Sequence, residues 1–197
     1  MLCTPHSVEE LKELLQFEGY DIFGESDCED QDYKLNIIGV RDPDSRPNYF
    51  DDTLHVFYIA EGGVFHHFWP ITTYPGIFYL LNPLNDKGTA ILKKGQYLNS
   101  YALGNYKNYL ALRQIKPVVV YRDFDKDQEF DLIPGTEDQG IFGIHIHKAG
   151  FFSKLVGPNS AGCQVFQKSE DFNSFINLCL NARMKWGNKF TYTLLEV

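Results

Sequence analysis

The spacing of hydrophobic positions changes near residue 33. Before it, Val8, Leu11, Leu14 and Leu15 recur every three to four residues behind Ser7 and Glu10, a capping-box pair. This predicts a helix over 8–17, ended by Gly19. Residues 24–33 are acidic and turn-rich, which reads as a linker or exposed loop. From Tyr33 onward the chain reads as strands: 34–40, then a hairpin of 53–59 with 64–70 turning at Glu61-Gly62-Gly63. Further strands are predicted at 77–81, 90–92 and 117–122, with 130–133 paired to the last of these, and at 143–147. A second helix is predicted over 169–185, with Phe172, Phe175, Ile176 and Cys179 on its apolar stripe, and a final strand over 190–197. The predicted fold class is mostly β (α+β): a sandwich or barrel with an N-terminal helix and one C-terminal covering helix. Two parts are expected, 1–32 as helix and acidic linker and 33–197 as the main domain. The first helix is read as covering a sheet edge, with docking to another protein as the alternative.

Composition agrees with this pattern. A chain of 197 residues with 44% apolar positions, 16 Phe and 12 Tyr suits one ordered, sheet-rich core. No apolar run approaches the ~20 residues that span a bilayer, so no membrane contact is expected. The first residues lack the basic region and apolar core of a secretory signal. The net charge of −8 argues against a nucleic-acid partner. Four cysteines (3, 28, 163 and 179) show no CxxC spacing, so neither a zinc ribbon nor a disulfide framework is implied. Cys179 reads as packing, and Cys3 and Cys28 lie in polar surroundings.

Cys163 stands apart through its neighbours. Gly143-Ile144-His145-Ile146-His147 delivers two histidines; Ser160 follows thirteen residues after His147, and Cys163 sixteen after it. Cysteine catalysis needs a thiolate, a base to generate it, and N–H groups to hold an oxyanion. In that reading Cys163 is the nucleophile and His147 the general base. The N–H groups of Gly162 and Cys163 are oxyanion donors, and Ser160 bonds across the turn. His145 shares a strand face with His147 and serves as support or substrate contact; an exposed strand histidine explains it equally well.

An Ile-His strand end followed at this distance by Ser-x-Gly-Cys resembles the signature of L,D-transpeptidase (YkuD-like) catalytic domains. Trp69-Pro70-Ile71-Thr72-Thr73 and Lys87-Gly88-Thr89-Ala90-Ile91-Leu92 resemble the family's approach to the site, so residues 52–166 can be laid on its pattern. The resemblance implies an enzyme that attacks amide bonds of peptidoglycan stem peptides through an acyl-enzyme, with no cofactor. Ala161 and Val165 depart from the family, which has a polar residue and an arginine there. The span from Asn36-Ile37-Ile38-Gly39-Val40-Arg41 to Phe166 is also similar to small proteins of gut Bacteroidales phages, crAss-like ones included. That similarity implies a virion or host-cytoplasm location, action at the bacterial cell wall by hydrolysis rather than cross-linking, and other virion proteins as partners. The competing expectation is a virion structural protein that keeps the fold without activity.

Other residues carry weaker signals. Tyr74, Tyr79, Tyr97, Tyr101 and Tyr106 are aromatic candidates for the cleft, with Tyr101 taken as a substrate contact. Arg122 is the candidate to replace the missing family arginine, against a surface ion pair with adjacent aspartates. Asp123, Asp125, Asp127, Glu129 and Asp131 alternate as in a calcium loop but lack its sixth-position glycine and twelfth-position glutamate; an acidic hairpin tip explains them as well. Zinc held by His145, His147 and Cys163, with His66 or His67, is also conceivable, yet no HExxH helix is present. No metal site is assigned from sequence.

Overall fold

Eight strands with alternating inward side chains close on themselves in the computed structural model, which describes residues 6–25, 30–150 and 153–197. The strands are β1 (Asn36–Arg41), β2 (Asp52–Ala60), β3 (Gly63–Thr72), β4 (Thr89–Leu92), β5 (Gly95–Tyr106), β6 (Tyr109–Gln114), β7 (Val118–Asp123), β8 (Asp138–Gly140), β9 (Ile146–Lys148), β10 (Gln164–Phe166) and β11 (Phe190–Glu196). Helices are α1 (Val8–Phe17), α2 (Ile77–Leu81) and α3 (Ser169–Trp186). The barrel order is β1-β11-β5-β6-β9-β10-β3-β2, and β4-β7-β8 form a separate three-stranded sheet. The protein is therefore a mostly-β α+β fold with a C-terminal helix and strand. No helix among the described residues is long and apolar enough to cross a membrane. Cys3 and Cys28 lie outside the described residues.

Leu54, Val56, Ile71, Leu112, Ile146, Phe166 and Tyr192 are sealed in the main core, and α3 adds Phe172, Phe175, Ile176 and Cys179 to it. Each fully buried large side chain of this kind contributes about 1.5–3 kcal/mol. The small sheet joins the same core through Ala90, Leu92, Val118 and Val120. That contact fixes its position beside the barrel ends at β9 and β10.

The capping box forms as predicted: Ser7 Oγ accepts from the Glu10 N–H at 3.2 Å, and the Ser7 N–H donates to Glu10 Oε2 at 2.7 Å. Helix α1 lays Val8, Leu11 and Leu15 against Ile38, Val40, Phe57 and Leu195. A closed barrel has no edge there, so α1 covers a sheet face rather than the expected edge.

Three strand predictions need correction. Residues 77–81 form the short helix α2, because the unbroken run Ile-Phe-Tyr-Leu-Leu has no alternation to fix its period. Residues 130–133 form no strand; β8 takes the place beside β7, pairing Val118 with Gly140. Phe130 instead stacks on Tyr74, with ring centroids 3.8 Å apart. Of residues 143–147, only the end lies in β9, since Gly143 turns the chain with φ 78°. The β5–β6 hairpin escaped prediction because Gln96, Asn99, Ser100 and Asn105 interrupt its apolar pattern.

Candidate active site

A cleft of about 550 Å³ opens between the small sheet and the β9–β10 end of the barrel. Its lining includes Tyr79, Tyr106, Lys107, Arg122, His147 and Cys163. The parallel pairing of β9 and β10 sets Val165 opposite His147, which brings the cysteine turn beside the histidine segment.

The turn holds only with glycine at 162. Its φ is 116°, and a Cβ there would stand 2.2 Å from the Ala90 carbonyl oxygen. Ser160 is wholly buried; its Oγ donates to the Cys163 carbonyl at 2.8 Å and accepts from the Gly162 N–H at 3.2 Å. Ser160 therefore shapes the turn and occupies one of the two expected oxyanion donors. The Cys163 N–H makes no hydrogen bond among the described residues and is the donor left for an oxyanion. Behind the turn, Gln164 Nε2 donates to Gly162 O at 3.4 Å, and the Tyr192 hydroxyl donates to Gln164 Oε1 at 2.8 Å. Gly39 makes room for that hydroxyl, which lies 1.9 Å from where a Cβ at 39 would sit.

Cys163 Sγ donates to Gly143 O at 3.3 Å and accepts from the His145 N–H at 3.4 Å. Burial pushes the thiol up to about 11, against a smaller opposing pull from the His145 N–H and Lys107. His147 Nδ1 lies 2.9 Å from Lys148 O; a carbonyl can only accept, so Nδ1 carries the proton. Its Nε2 is thereby an acceptor, buried and without a hydrogen bond. The ring stacks on Tyr106 at 4.7 Å, and burial pulls its pKa down to about 4. Thiol and imidazole are both neutral near pH 7, and no hydrogen bond joins them among the described residues.

His145 works through its backbone. Its side chain is turned from the cleft, its Nδ1 accepts from the Gln114 N–H at 3.1 Å, and burial draws its pKa down to about 4. Tyr101 does not contact the cleft: it has no exposed surface and packs edge-on against Tyr192 in the core. Arg122 does reach the cleft, but its guanidinium is held by Asp138 Oδ2 at 3.1 Å and Gly88 O at 3.2 Å, over the Phe142 ring. Val165 is sealed in a small apolar cluster with Phe50, Ala149 and Val156, so a family-type arginine would have no outlet there.

Sequence reasoning missed Gln114. This buried residue accepts three N–H groups on Oε1, from Phe142 (3.1 Å), Gly143 (2.9 Å) and Ile144 (3.0 Å). Its Nε2 donates to Lys116 O and Gly140 O. One side chain thus fixes the loop that supplies both hydrogen bonds to the sulfur. A polar strand-end residue about 30 positions away carries no local mark of that task. Lys107 was also missed; it sits in the β5–β6 turn at φ 54° and makes no ion pair among the described residues.

No protein-family model matches the chain, and neither does any curated protein or solved structure.

Proposed function

We propose that the protein is a cysteine acyl-transfer enzyme of L,D-transpeptidase type, acting on peptidoglycan stem-peptide amides from a phage particle or infected host. The observation that carries this reading is that one cleft is lined by both Cys163, which has an uncommitted N–H, and His147, whose tautomer leaves Nε2 as a proton acceptor. With the substrate carbonyl over Cys163, His147 Nε2 takes the thiol proton as Sγ bonds to the carbonyl carbon. The Cys163 N–H stabilises the oxyanion. The carbon–nitrogen bond then breaks, His147 returns the proton to the leaving amine, and a thioester remains. Water or a second amine attacks that thioester with His147 again as base, and the thiol is restored. The His145 N–H steadies developing negative charge on sulfur. Lys107, a cleft cation with no ion pair among the described residues, suits a stem-peptide carboxylate. The wall substrate and the preference for hydrolysis rest on the sequence resemblance.

The test is mass spectrometry of defined stem peptides and muropeptides after incubation with the native chain and with Cys163→Ala. New products, or an acyl mass on Cys163, that vanish in the variant support the enzyme.

A specific observation favours a second reading, a virion scaffold without activity: the thiol lies up at about 11 and donates to Gly143 O rather than to the imidazole. Native chain that leaves every peptide intact and forms no thioester with an activated acyl donor would favour the scaffold.

A further inference from the structure

Where the chain leaves β7 it doubles back through five acidic residues, Asp123, Asp125, Asp127, Glu129 and Asp131. Asp123, Asp125 and Asp131 each place a carboxylate oxygen within 4.8 Å of the others. Oxygens on a sphere of calcium–oxygen radius, about 2.3–2.6 Å, lie no further apart than about 4.6–5.2 Å. Each pair is thus close enough to share one ion of that size, and small side-chain movements bring all three onto it.

The second observation is Asp123 itself. It has no exposed surface, and its Oδ1 makes no hydrogen bond while its Oδ2 accepts from the Asp131 N–H at 3.1 Å. A buried carboxylate oxygen without a partner is costly unless something cationic meets it. Among the described residues no lysine or arginine pairs with Asp123, Asp125 or Asp131. Burial, with Asp131, Asp125 and Asp127 adding to it, holds the Asp123 carboxyl up at about 6. The loop is also anchored: Phe130 stacks flat on Tyr74, whose ring carries Arg41 at 4.2 Å, which fixes the chain next to Asp131.

We infer that Asp123, Asp125 and Asp131 form a binding site for a hard divalent cation of the calcium class, separate from the cysteine cleft. All three ligands are carboxylates, which suit calcium over zinc. Magnesium demands tighter octahedral geometry than a loop with spread oxygens offers. Bound cation ties the loop to the end of β7, next to Arg122 at the cleft rim. The site stands whether or not the cysteine is catalytic.

The experiment uses the full chain stripped with chelator, then titrated with calcium chloride by calorimetry and by thermal unfolding. One ion binds per chain, and 2 mM calcium raises Tm by about 5 °C for a site of about 0.1 mM affinity; magnesium at that concentration gives less than half the shift. Asp125→Asn with Asp131→Asn alters the outer part of the cluster, leaves the far-UV spectrum unchanged and weakens calcium binding at least tenfold. Asp123→Asn gives the same loss if it folds; if it does not, the double variant decides. No heat and no Tm shift up to 10 mM calcium in the native chain overturns the site, as does an undiminished response in the double variant.

Discussion

The two buried histidines, His55 on β2 and His147 on β9, differ in how their ring nitrogens are engaged. His55, on β2, is fully buried and its pKa is drawn down to about 3, mainly by burial and then by His66 and His6. Both of its nitrogens are engaged, one with Thr53 Oγ1 and one with His66 Nε2, each at 3.0 Å. His147 is almost as buried and similarly depressed, yet only Nδ1 is engaged. His67 warns against reading an open nitrogen alone: its Nε2 is also unpartnered, but its ring lies stacked on Trp69 at 5.6 Å, away from the cleft. Depressed basicity reports burial. What sets His147 apart is the combination of a fixed tautomer, an unengaged Nε2 and a place in the lining of the cleft that Cys163 also lines.

Exchanging the two histidines is the strongest way to break this contrast. His147→Ala lowers kcat/KM by about 10²–10⁴-fold with the fold retained. His55→Asn leaves kcat/KM within about threefold and acts on stability instead, because no reacting group touches it. The reverse result would sink the assignment. Their pH signatures differ as well. Protonation of His147 stops catalysis, so the acid limb of kcat/KM falls near pH 4 rather than near 6.5. For His55 the folded pKa of about 3 lies below the ordinary 6.5, so the unfolded chain binds the extra proton between these values. Its contribution is complete above pH 6.5 and is lost as pH falls towards 3. Urea unfolding of His55→Asn against native chain should therefore differ in slope by up to about 1.4 kcal/mol per pH unit within that window.

Gln114 and Tyr192 sharpen the contrast by testing what holds the cysteine side in place. Gln114→Ala strands three N–H groups, in a loop that stays partly buried, and costs about 2–4 kcal/mol by urea unfolding. Activity falls further than stability, since Gly143 O and the His145 N–H no longer hold the sulfur. Tyr192→Phe removes one hydrogen bond from Gln164 and costs about 1–2 kcal/mol, with a smaller loss of rate. Equal losses of rate from the two variants would mean that the Gln114 loop does not position the thiol.

The parts legible in the sequence were those fixed by local rules. Ser7 and Glu10 announced α1, the β2–β3 hairpin followed its glycine turn, and Gly162-Cys163 marked a strained turn at fixed distance from His147. Long-range pairing was not legible. Nothing near residue 114 tells that its side chain organises residues 142–145, and nothing near Gly39 tells that Tyr192 needs its missing Cβ. Tyr101 misled because an aromatic on a β-strand gives no sign of which face it takes until register is known. In the acidic run only the strand expected at 130–133 fails: β8 pairs with β7 instead, and the loop between them gathers three carboxylates, which depends on that long-range pairing.

The smallest expected effect separates the two cations of the cleft. Arg122 is committed to Asp138 and Gly88 O, so replacing it disturbs the small sheet before it touches substrate. Lys107 has no carboxylate partner among the described residues and lies over the Tyr106 ring at 5.4 Å, close enough to the site to pull the Cys163 thiol and the His147 imidazole downward. A partly exposed cation of this kind attracts a substrate carboxylate by about 1 kcal/mol in moderate salt. Lys107→Gln therefore raises KM about fivefold for a donor peptide with a free carboxylate and leaves kcat within about twofold. Amidating that carboxylate should erase the difference between variant and native chain. If instead Arg122→Gln shows the carboxylate-dependent KM and Lys107→Gln does not, the ion pair with Asp138 opens on binding and the substrate docks on the small sheet.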